Sequence, residues 1–229
     1  MRGGQGSWGR GVSLLLFAGP GIALALVMTG CKTQRCPKGD AQYEIRDRNG
    51  ALELSLHADN DNKGQVLCDG GDRRVGSMGG SRERFQLRDP SGSTLLEIKA
   101  GPAPEDLTLS RGSVSYRLYD KGGLLRILDD QGVPQAQLGM SPAGGDAQAG
   151  AGAQNPGRAL IYDPAGSPLG YAERADDRLV VRARDGAVEH YVVGARRERA
   201  AAAIGLSMFS PLERLALCRY LDEFGGSGQ

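Results

Sequence analysis

The sequence has little of what most enzyme active sites use. Only two histidines, His57 and His190, occur among 229 residues, and aromatic residues make up 5% of the chain. Two isolated histidines are too few for a histidine-rich metal site. No His-Glu-x-x-His, Gly-x-Ser-x-Gly, Walker or Ser-x-x-Lys motif is present. We therefore expect no enzymatic activity, no cofactor and no metal ion, with carboxylates that converge only in the fold as the open alternative.

The chain also lacks an excess of charge of either sign. Lys and Arg total 28, and Asp and Glu total 27. Binding to nucleic acid needs a basic face that neutralises phosphates, so nucleic acid is not an expected partner. The group Arg196, Arg197 and Arg199 is interrupted by Glu198 and predicts a solvated face.

Cysteines are few and are not spaced as metal ligands. No Cys-x-x-Cys pair occurs among Cys31, Cys36, Cys68 and Cys218, which excludes a zinc knuckle or a dithiol redox motif. In an oxidising compartment two of the last three can pair. We expect a disulfide between Cys36 and Cys68, because both lie in polar sequence. Cys218 lies in a helical pattern and is expected to be a buried thiol.

What the chain does have begins with an apolar segment. Arg2 and Arg10 precede an uncharged stretch over residues 11–30. A basic start, an apolar middle and small residues at the end are typical of an export signal. The alternative is an uncleaved anchor, since about 18 apolar residues can span a bilayer. Gly19-Pro20-Gly21 interrupts the run and favours the signal.

The end of this segment, Met28-Thr29-Gly30-Cys31, resembles the lipobox of bacterial lipoproteins, although Met28 stands where Leu is usual. The resemblance implies cleavage between Gly30 and Cys31, so that residues 1–30 are a signal peptide. It also implies diacylation of Cys31, which makes membrane lipid the expected partner. Two or more acyl chains suffice for stable anchoring.

The residue after the cysteine bears on location. Lys32 stands where, in many Gram-negative lipoproteins, an Asp retains the protein at the inner membrane. Its absence favours the outer membrane. Residues 31–40 then become a lipidated tether that leads to a β-rich domain over residues 41–194.

Beyond the signal, one short pattern recurs: alternating apolar residues, an Asp, and a Gly three positions later. Asp at the first position of a turn accepts a hydrogen bond from the backbone two residues on, and Gly supplies the positive φ that closes the turn. Each copy therefore predicts a β-hairpin. The turn residues are Asp47 and Gly50, Asp89 and Gly92, Asp120 and Gly123, Asp129 and Gly132, and Asp163 and Gly166.

Further strand patterns raise the count to about a dozen short strands, which predicts a mainly β fold, an antiparallel barrel or sandwich. The low-complexity stretch 140–157 is interpreted as a flexible surface loop inside one domain. Residues 59–64 look superficially like a calcium loop. Lys63 and Gly70 occupy two of the ligand positions, so we expect a solvated turn instead.

Residues 195–229 change character and predict one or two C-terminal α-helices packed on the β domain. Ser210-Pro211-Leu212-Glu213 is a capping box with Pro at the first helical position, and the helix is expected to end near Phe224. A preceding helix is expected over residues 199–209. Five charges between Glu213 and Glu223 suit a helix lying on a barrel or sandwich better than one threaded through it.

Repeated hairpins followed by an apolar C-terminal helix resemble the LURP-one-related and tubby-like barrels. The resemblance covers residues 41–224 and implies a closed antiparallel barrel of about a dozen strands around a central helix. Tubby-type members bind membrane phosphoinositides through a basic patch. No matching cluster occurs in this sequence, so that ligand is not carried over.

Together these patterns predict a membrane-tethered lipoprotein of the cell envelope whose β domain has a structural or binding role, with an envelope protein as a further candidate partner. Two alternatives stay open. One is an envelope hydrolase whose Asp and Glu residues converge in the fold. The other is a lipid-binding barrel, which requires a hollow apolar interior.

Overall fold

The computed structural model describes residues 35–59, 64–101, 103, 106–140 and 157–225. The chain divides into two units, Met1–Lys32 and Thr33–Gln229, and all described residues belong to the second. The expected signal peptide, the cleavage site at Gly30 and Cys31, and residues 141–156 of the expected loop lie outside the described residues.

Fourteen antiparallel strands form a closed barrel in which each strand pairs with the next and β1 pairs with β14. The predicted mainly β fold is confirmed, and the structure is a barrel with two more strands than a dozen. The strands are β1 Tyr43–Asp47, β2 Leu52–Ala58, β3 Gln65–Asp69, β4 Arg74–Gly80, β5 Arg84–Arg88, β6 Thr94–Ala100, β7 Asp106–Arg111, β8 Val114–Lys121, β9 Leu124–Leu128, β10 Pro134–Met140, β11 Ala159–Tyr162, β12 Pro168–Ala175, β13 Arg178–Ala183 and β14 Val188–Val193.

Because successive connections of such a meander alternate between the two ends of the barrel, the molecule has two distinct rims. Connections that follow β1, β3, β5 and the other odd-numbered strands lie at one end, here called the turn rim. Connections that follow even-numbered strands lie at the other end. This second end, here called the helix rim, also holds the start of β1 and the exit of β14 into the C-terminal segment.

Four of the five Asp-x-x-Gly segments form the same turn, and all four lie at the turn rim. In each, the glycine N–H donates to the aspartate carbonyl at 2.9–3.0 Å, and the aspartate Oδ1 accepts from the backbone N–H four residues on at 2.8–2.9 Å. The glycines have φ between 80° and 90°, which favours glycine. The four are Asp47–Gly50, Asp89–Gly92, Asp129–Gly132 and Asp163–Gly166.

The fifth segment, Asp120–Gly123, does not form this turn, and its assignment as a turn aspartate is wrong. Strand β8 continues to Lys121, and the link to β9 is the pair Gly122 and Gly123, with φ of 62° and 81°. Two successive residues with positive φ make a two-residue hairpin turn. Asp120 is therefore a strand residue at the helix rim.

The C-terminal segment forms α1 over Glu198–Ala202, a 3-10 turn over Ala203–Gly205 and α2 over Pro211–Phe224. The hydroxyl of Ser210 accepts from the N–H of Glu213 while the Glu213 carboxylate accepts from the N–H of Ser210. This reciprocal cap, with Pro at the first position, explains where α2 begins.

Helix α2 lies inside the barrel. Its consecutive residues 215–218 all have 0% exposure, and four successive helical positions point to nearly every side of a helix. They belong to one apolar core with inward residues of the strands, such as Leu87 and Ile127. Helix α1 packs against β10 to β13 and α2 against β5 and β6.

The expectation that α2 lies on the outside of the β domain is therefore wrong. Its charged residues are confined to its two ends: Glu213 and Arg214 in the first turn, and Arg219, Asp222 and Glu223 in the last two turns. Charges at the ends of a threaded helix reach the rims, where they find partners. The five charges that favoured a surface position are thus compatible with a central one.

Candidate functional site

The N-terminal segment is fixed to the outer wall of the barrel before β1 begins. Arg35 forms a β-bridge with Arg73 beside the turn between β3 and β4. The Cys36 N–H donates to the carbonyl of Asp72 at 3.4 Å. The segment thus first meets the barrel at the turn rim.

A disulfide joins Cys36 to Cys68 in β3, with the Cα atoms 6.1 Å apart. Leu67 points into the barrel core, so its neighbours Val66 and Cys68 face outward, and together with Cys36 they form a small separate apolar cluster. The cystine is buried, with Cys36 8% and Cys68 1% exposed. The segment is covalently held at this point of the wall.

From the disulfide the segment continues to the helix rim. The Gln42 N–H donates to the carbonyl of Leu56 at 2.7 Å. The side chain of Gln65, the first residue of β3, donates to that of Gln42. Residues 35–42 therefore run along the outer wall from one rim to the other and enter β1 at Tyr43.

Asp222 is the most buried charged group among the described residues and gathers several donors at the helix rim. It has 0% exposure. Its Oδ1 accepts from the N–H groups of Arg196 and Arg197 at 2.9 and 3.0 Å. Its Oδ2 accepts from the hydroxyl of Tyr43 and, at 3.4 Å, from the Arg196 side chain. The carboxylate thus ties the first strand, the entry to α1 and the end of α2 together.

These contacts also set the chemistry of the neighbouring groups. Burial and the hydrogen bond to Asp222 raise the pKa of the Tyr43 hydroxyl. Burial, followed by the charge of Asp222, raises the pKa of the Cys218 thiol, which has 0% exposure. A protonated and inaccessible thiol is a poor nucleophile, so Cys218 is a packing residue.

A second ion pair closes the same rim. Arg199 of α1 makes two hydrogen bonds to the carboxylate of Asp120, at 2.8 and 2.6 Å. It also donates to the carbonyl of Gly225, just past α2, at 3.0 Å. The Arg199 side chain is only 14% exposed. The expectation of a solvated face at this arginine is therefore wrong.

At the turn rim, the start of α2 is held in a similar way. The Glu213 carboxylate, which caps Ser210, lies 3.5 Å from the guanidinium of Arg111 at the end of β7. Arg111 also donates to the carbonyl of Met208 at 3.4 Å, and the ring of Phe209 packs edge-on against Tyr116 at 5.6 Å. Both ends of the central helix are thus anchored to the wall.

Open grooves on the surface of the described residues include two with charged linings. One, of about 520 Å³, is lined by Arg74, Arg88, Gln65 and Gln86, and the Arg74 Nε has no hydrogen-bond partner. The other, of about 530 Å³, contains Asp106, Asp129 and Asp130. The Asp106 carboxylate accepts a hydrogen bond from Arg117 at 2.6 Å. The Asp129 carboxylate accepts one from the N–H of Val133 in its own turn. Two of these three carboxylates are thus already engaged.

The two histidines lie apart from these clusters. The Nε2 of His57 in β2 lies 3.0 Å from the hydroxyl of Ser55. His190 in β14 lies 3.2 Å from the carboxylate of Glu53. In the part of the chain that the structure describes, no group of three His, Cys, Asp or Glu side chains is placed to hold a metal ion. No helix among those residues is long and apolar enough to cross a membrane.

The sequence-predicted residues therefore have different outcomes. Gly30 and Cys31 lie outside the described residues, and Cys36 and Cys68 meet in a disulfide. Four of the five predicted turn aspartates are spread around the turn rim, whereas Asp120 lies at the helix rim. The clusters at Asp222 and Asp120 were not predicted, because Tyr43 and Asp222 are 179 residues apart and no local pattern joins them. Among the residues of the clusters at the two rims, Glu213 alone had a local sequence signal, because it belongs to the capping box that begins at Ser210.

A scan against protein-family models and searches of curated proteins and of solved structures found no match to this chain.

Proposed function

We propose that this protein is a lipid-anchored protein of the cell envelope whose barrel serves a structural or binding role. The observation that carries the proposal is Met28-Thr29-Gly30-Cys31 at the end of an apolar N-terminal segment. Acylated Cys31 would hold the protein in a membrane, and Lys32 favours the outer membrane of a Gram-negative cell.

The Cys36–Cys68 disulfide supports an exported location. Disulfides persist in oxidising compartments, including the bacterial periplasm, and are rare in the cytosol. The bond is buried against Val66, so it is an integral part of the wall. An exported chain would form it after crossing the inner membrane.

The packed interior supports a role without catalysis. Helix α2 occupies the space that a carried lipid would need, and residues 215–218 have 0% exposure. The buried carboxylates Asp222 and Glu213 are each bound by donors that also hold the helix in place. In the described residues, the hydrolase and lipid-carrier alternatives have no supporting observation of comparable weight.

The direct test is metabolic labelling with a fatty-acid analogue in a Gram-negative host. We expect the wild-type protein and a Cys218→Ala control to take up label, and Cys31→Ala to take up none. Inhibiting the lipoprotein signal peptidase should leave residues 1–30 attached. Label that persists in Cys31→Ala would refute the proposal. Separating inner from outer membranes would then test the location that Lys32 favours.

A further inference from the structure

We propose that the turn rim is the face of the barrel that lies against the membrane, with the helix rim directed away from it. This inference rests on the lipid anchor at Cys31 proposed above. The membrane-facing surface consists of the turns after β1, β3 and β5. It contacts the phosphate headgroup layer of the bilayer.

The tether meets the barrel at the turn rim. Arg35 is bridged to Arg73, and Cys36 is bonded to Cys68. Both contacts lie at the end of β3 that borders the turn rim. The chain then follows the wall to Gln42 at the helix rim, which directs the free part of the tether away from that rim.

The tether is also short. Only three residues, 32–34, separate Cys31 from Arg35, so the span between the two Cα atoms is at most about 14 Å. The tether is held at β3, which contains five residues, and the neighbouring strands β2 and β4 contain seven each. At about 3.4 Å per residue the longer ones extend over roughly 25 Å. A tether shorter than the wall cannot place the helix rim on the bilayer while the disulfide holds.

The turns beside the tether present cationic side chains. Each carries an arginine with an exposed side chain: Arg48 after β1, Arg73 after β3 and Arg88 at the end of β5. The aspartates of the same turns, by contrast, accept hydrogen bonds from backbone N–H groups of their own turns. Arg73 is paired with the Asp69 carboxylate of its own turn at 2.7 Å, so the groups that this surface offers to lipid phosphates are the exposed side chains of Arg48 and Arg88.

The orientation can be measured with single tryptophans. The only tryptophan of the chain is Trp8, which the proposed cleavage removes, so an introduced tryptophan reports alone. The acylated mature protein, which begins at Cys31, would be reconstituted into phosphatidylethanolamine–phosphatidylglycerol vesicles that contain a headgroup nitroxide lipid. Asn49→Trp probes the turn rim, and Asp177→Trp probes the exposed turn between β12 and β13 at the helix rim.

We expect the nitroxide to quench Asn49→Trp at least threefold more than Asp177→Trp. Equal quenching, as for a barrel lying on its side, or stronger quenching of Asp177→Trp would overturn the inference. Flotation of the vesicles checks the anchor separately. Protein that fails to float refutes the lipid anchor and the orientation together, whereas floating protein with equal quenching refutes the orientation alone.

Lengthening the tether should remove the bias. In the Asn49→Trp background, Cys36→Ala with Cys68→Ala frees the segment as far as Gln42. A ten-residue Gly-Ser insertion between Gln34 and Arg35 lengthens the tether while keeping the disulfide. We expect both to lower the quenching of Trp at position 49 toward the value at position 177. Quenching that the insertion leaves unchanged would show that the tether does not set the orientation.

Discussion

At the turn rim, six of the seven connections use one local turn, while at the helix rim the connections differ from one another and are joined by contacts between distant residues. Two of the six depart slightly from the Asp-x-x-Gly pattern: Asp72 has φ of 60° where glycine is usual, and Ala183 replaces the aspartate. At the helix rim, Asp222 binds groups 25 to 179 residues away. One end of the barrel is built by local rules and the other by tertiary contacts.

The two rims should therefore respond differently to mutation. A turn at the first rim involves about five residues and can be weakened alone. The Asp222 cluster joins the first strand, α1 and α2, so its loss affects the closure of the barrel and the seating of the central helix at the same time.

The largest effect is expected at Asp222. Asp222→Ala leaves the Tyr43 hydroxyl and two backbone N–H groups without an acceptor in a site with no exposure. We expect the free energy of unfolding to fall by about 4 kcal/mol, since removing one member of a buried charged network is strongly destabilising. Urea denaturation measures it, with Asp177→Ala in an exposed turn as the control. A loss below about 1 kcal/mol would place this aspartate among ordinary surface charges.

Leu217, in the middle of α2, tests whether the space between the rims is filled. Leu217→Ala opens a cavity at a side chain with 0% exposure, and we expect a loss of about 3 kcal/mol. The matched control is Leu169→Ala on the outer face, which is 51% exposed and should change stability by less than about 0.5 kcal/mol. Similar values for both variants would contradict a central, packed helix.

Asp120 and Asp129 provide the sharpest comparison, because both occur in the same Asp-x-x-Gly pattern at opposite rims. Asp120→Ala breaks a two-bond pair with the largely buried Arg199, and we expect a loss of about 2 kcal/mol. Asp129→Ala removes turn hydrogen bonds at an exposed site, and we expect about 1 kcal/mol. Thermal or urea unfolding distinguishes them.

A double-mutant cycle with Arg199→Ala identifies the source of the difference. The cycle should show coupling between Asp120 and Arg199, and none between Asp129 and Arg199. If Asp129→Ala costs as much as Asp120→Ala and the cycle shows no coupling, the contrast between the rims is refuted.

The same pair shows how far the sequence could predict the structure. Strand alternation and turn chemistry are local, so they predicted a barrel or sandwich, most of its strands and four of the five turns. The prediction for Asp120 was wrong because Gly122 and Gly123 form a tighter, two-residue turn. The three-residue spacing between Asp and Gly does not by itself distinguish this turn from the other four. The choice between them depends on the register of β8 and β9, which neighbouring strands fix.

The position of α2 could not be predicted for a different reason. Its capping box and apolar face are local and predicted its start and end. Whether its charges are solvated or paired depends on Arg111, far away in the sequence, and on the Tyr43 and Arg196 that meet Asp222. Charge count therefore indicated a surface helix, whereas the location of the charges at the helix ends permits a central one.

Gly92 tests the local character of the turn rim. It has φ of 90°, and a Cβ built on it meets no atom within 4 Å, so the effect of a side chain there is conformational. Gly92→Val should lower stability by about 1 kcal/mol or more, because a β-branched residue resists positive φ. Gly92→Asn should lower it less, since Asn tolerates this region better. Equal stability of all three proteins would contradict the turn geometry.

The smallest effect is expected on the wall between the rims, at Glu97 of β6. Hydrogen bonds from Lys99, and then from Arg84 and Gln86, lower the pKa of this carboxyl to about 2 from an ordinary 4.5. A carboxyl whose pKa is lower in the folded state stabilises the fold fully above its unfolded pKa. That contribution is lost as the pH falls from about 4.5 toward about 2. The urea midpoint should therefore drop over this window.

The urea midpoint of Glu97→Gln should drop less than that of wild type over the same window. It should still drop, because carboxyls at the turn rim contribute to the acid response as well. Hydrogen bonds within their turns also lower the pKa values of Asp47, Asp69 and Asp89, so acid weakens the turn rim in the same direction. If Glu97→Gln and wild type show the same pH dependence, the carboxyl at position 97 is not held by its three donors in solution.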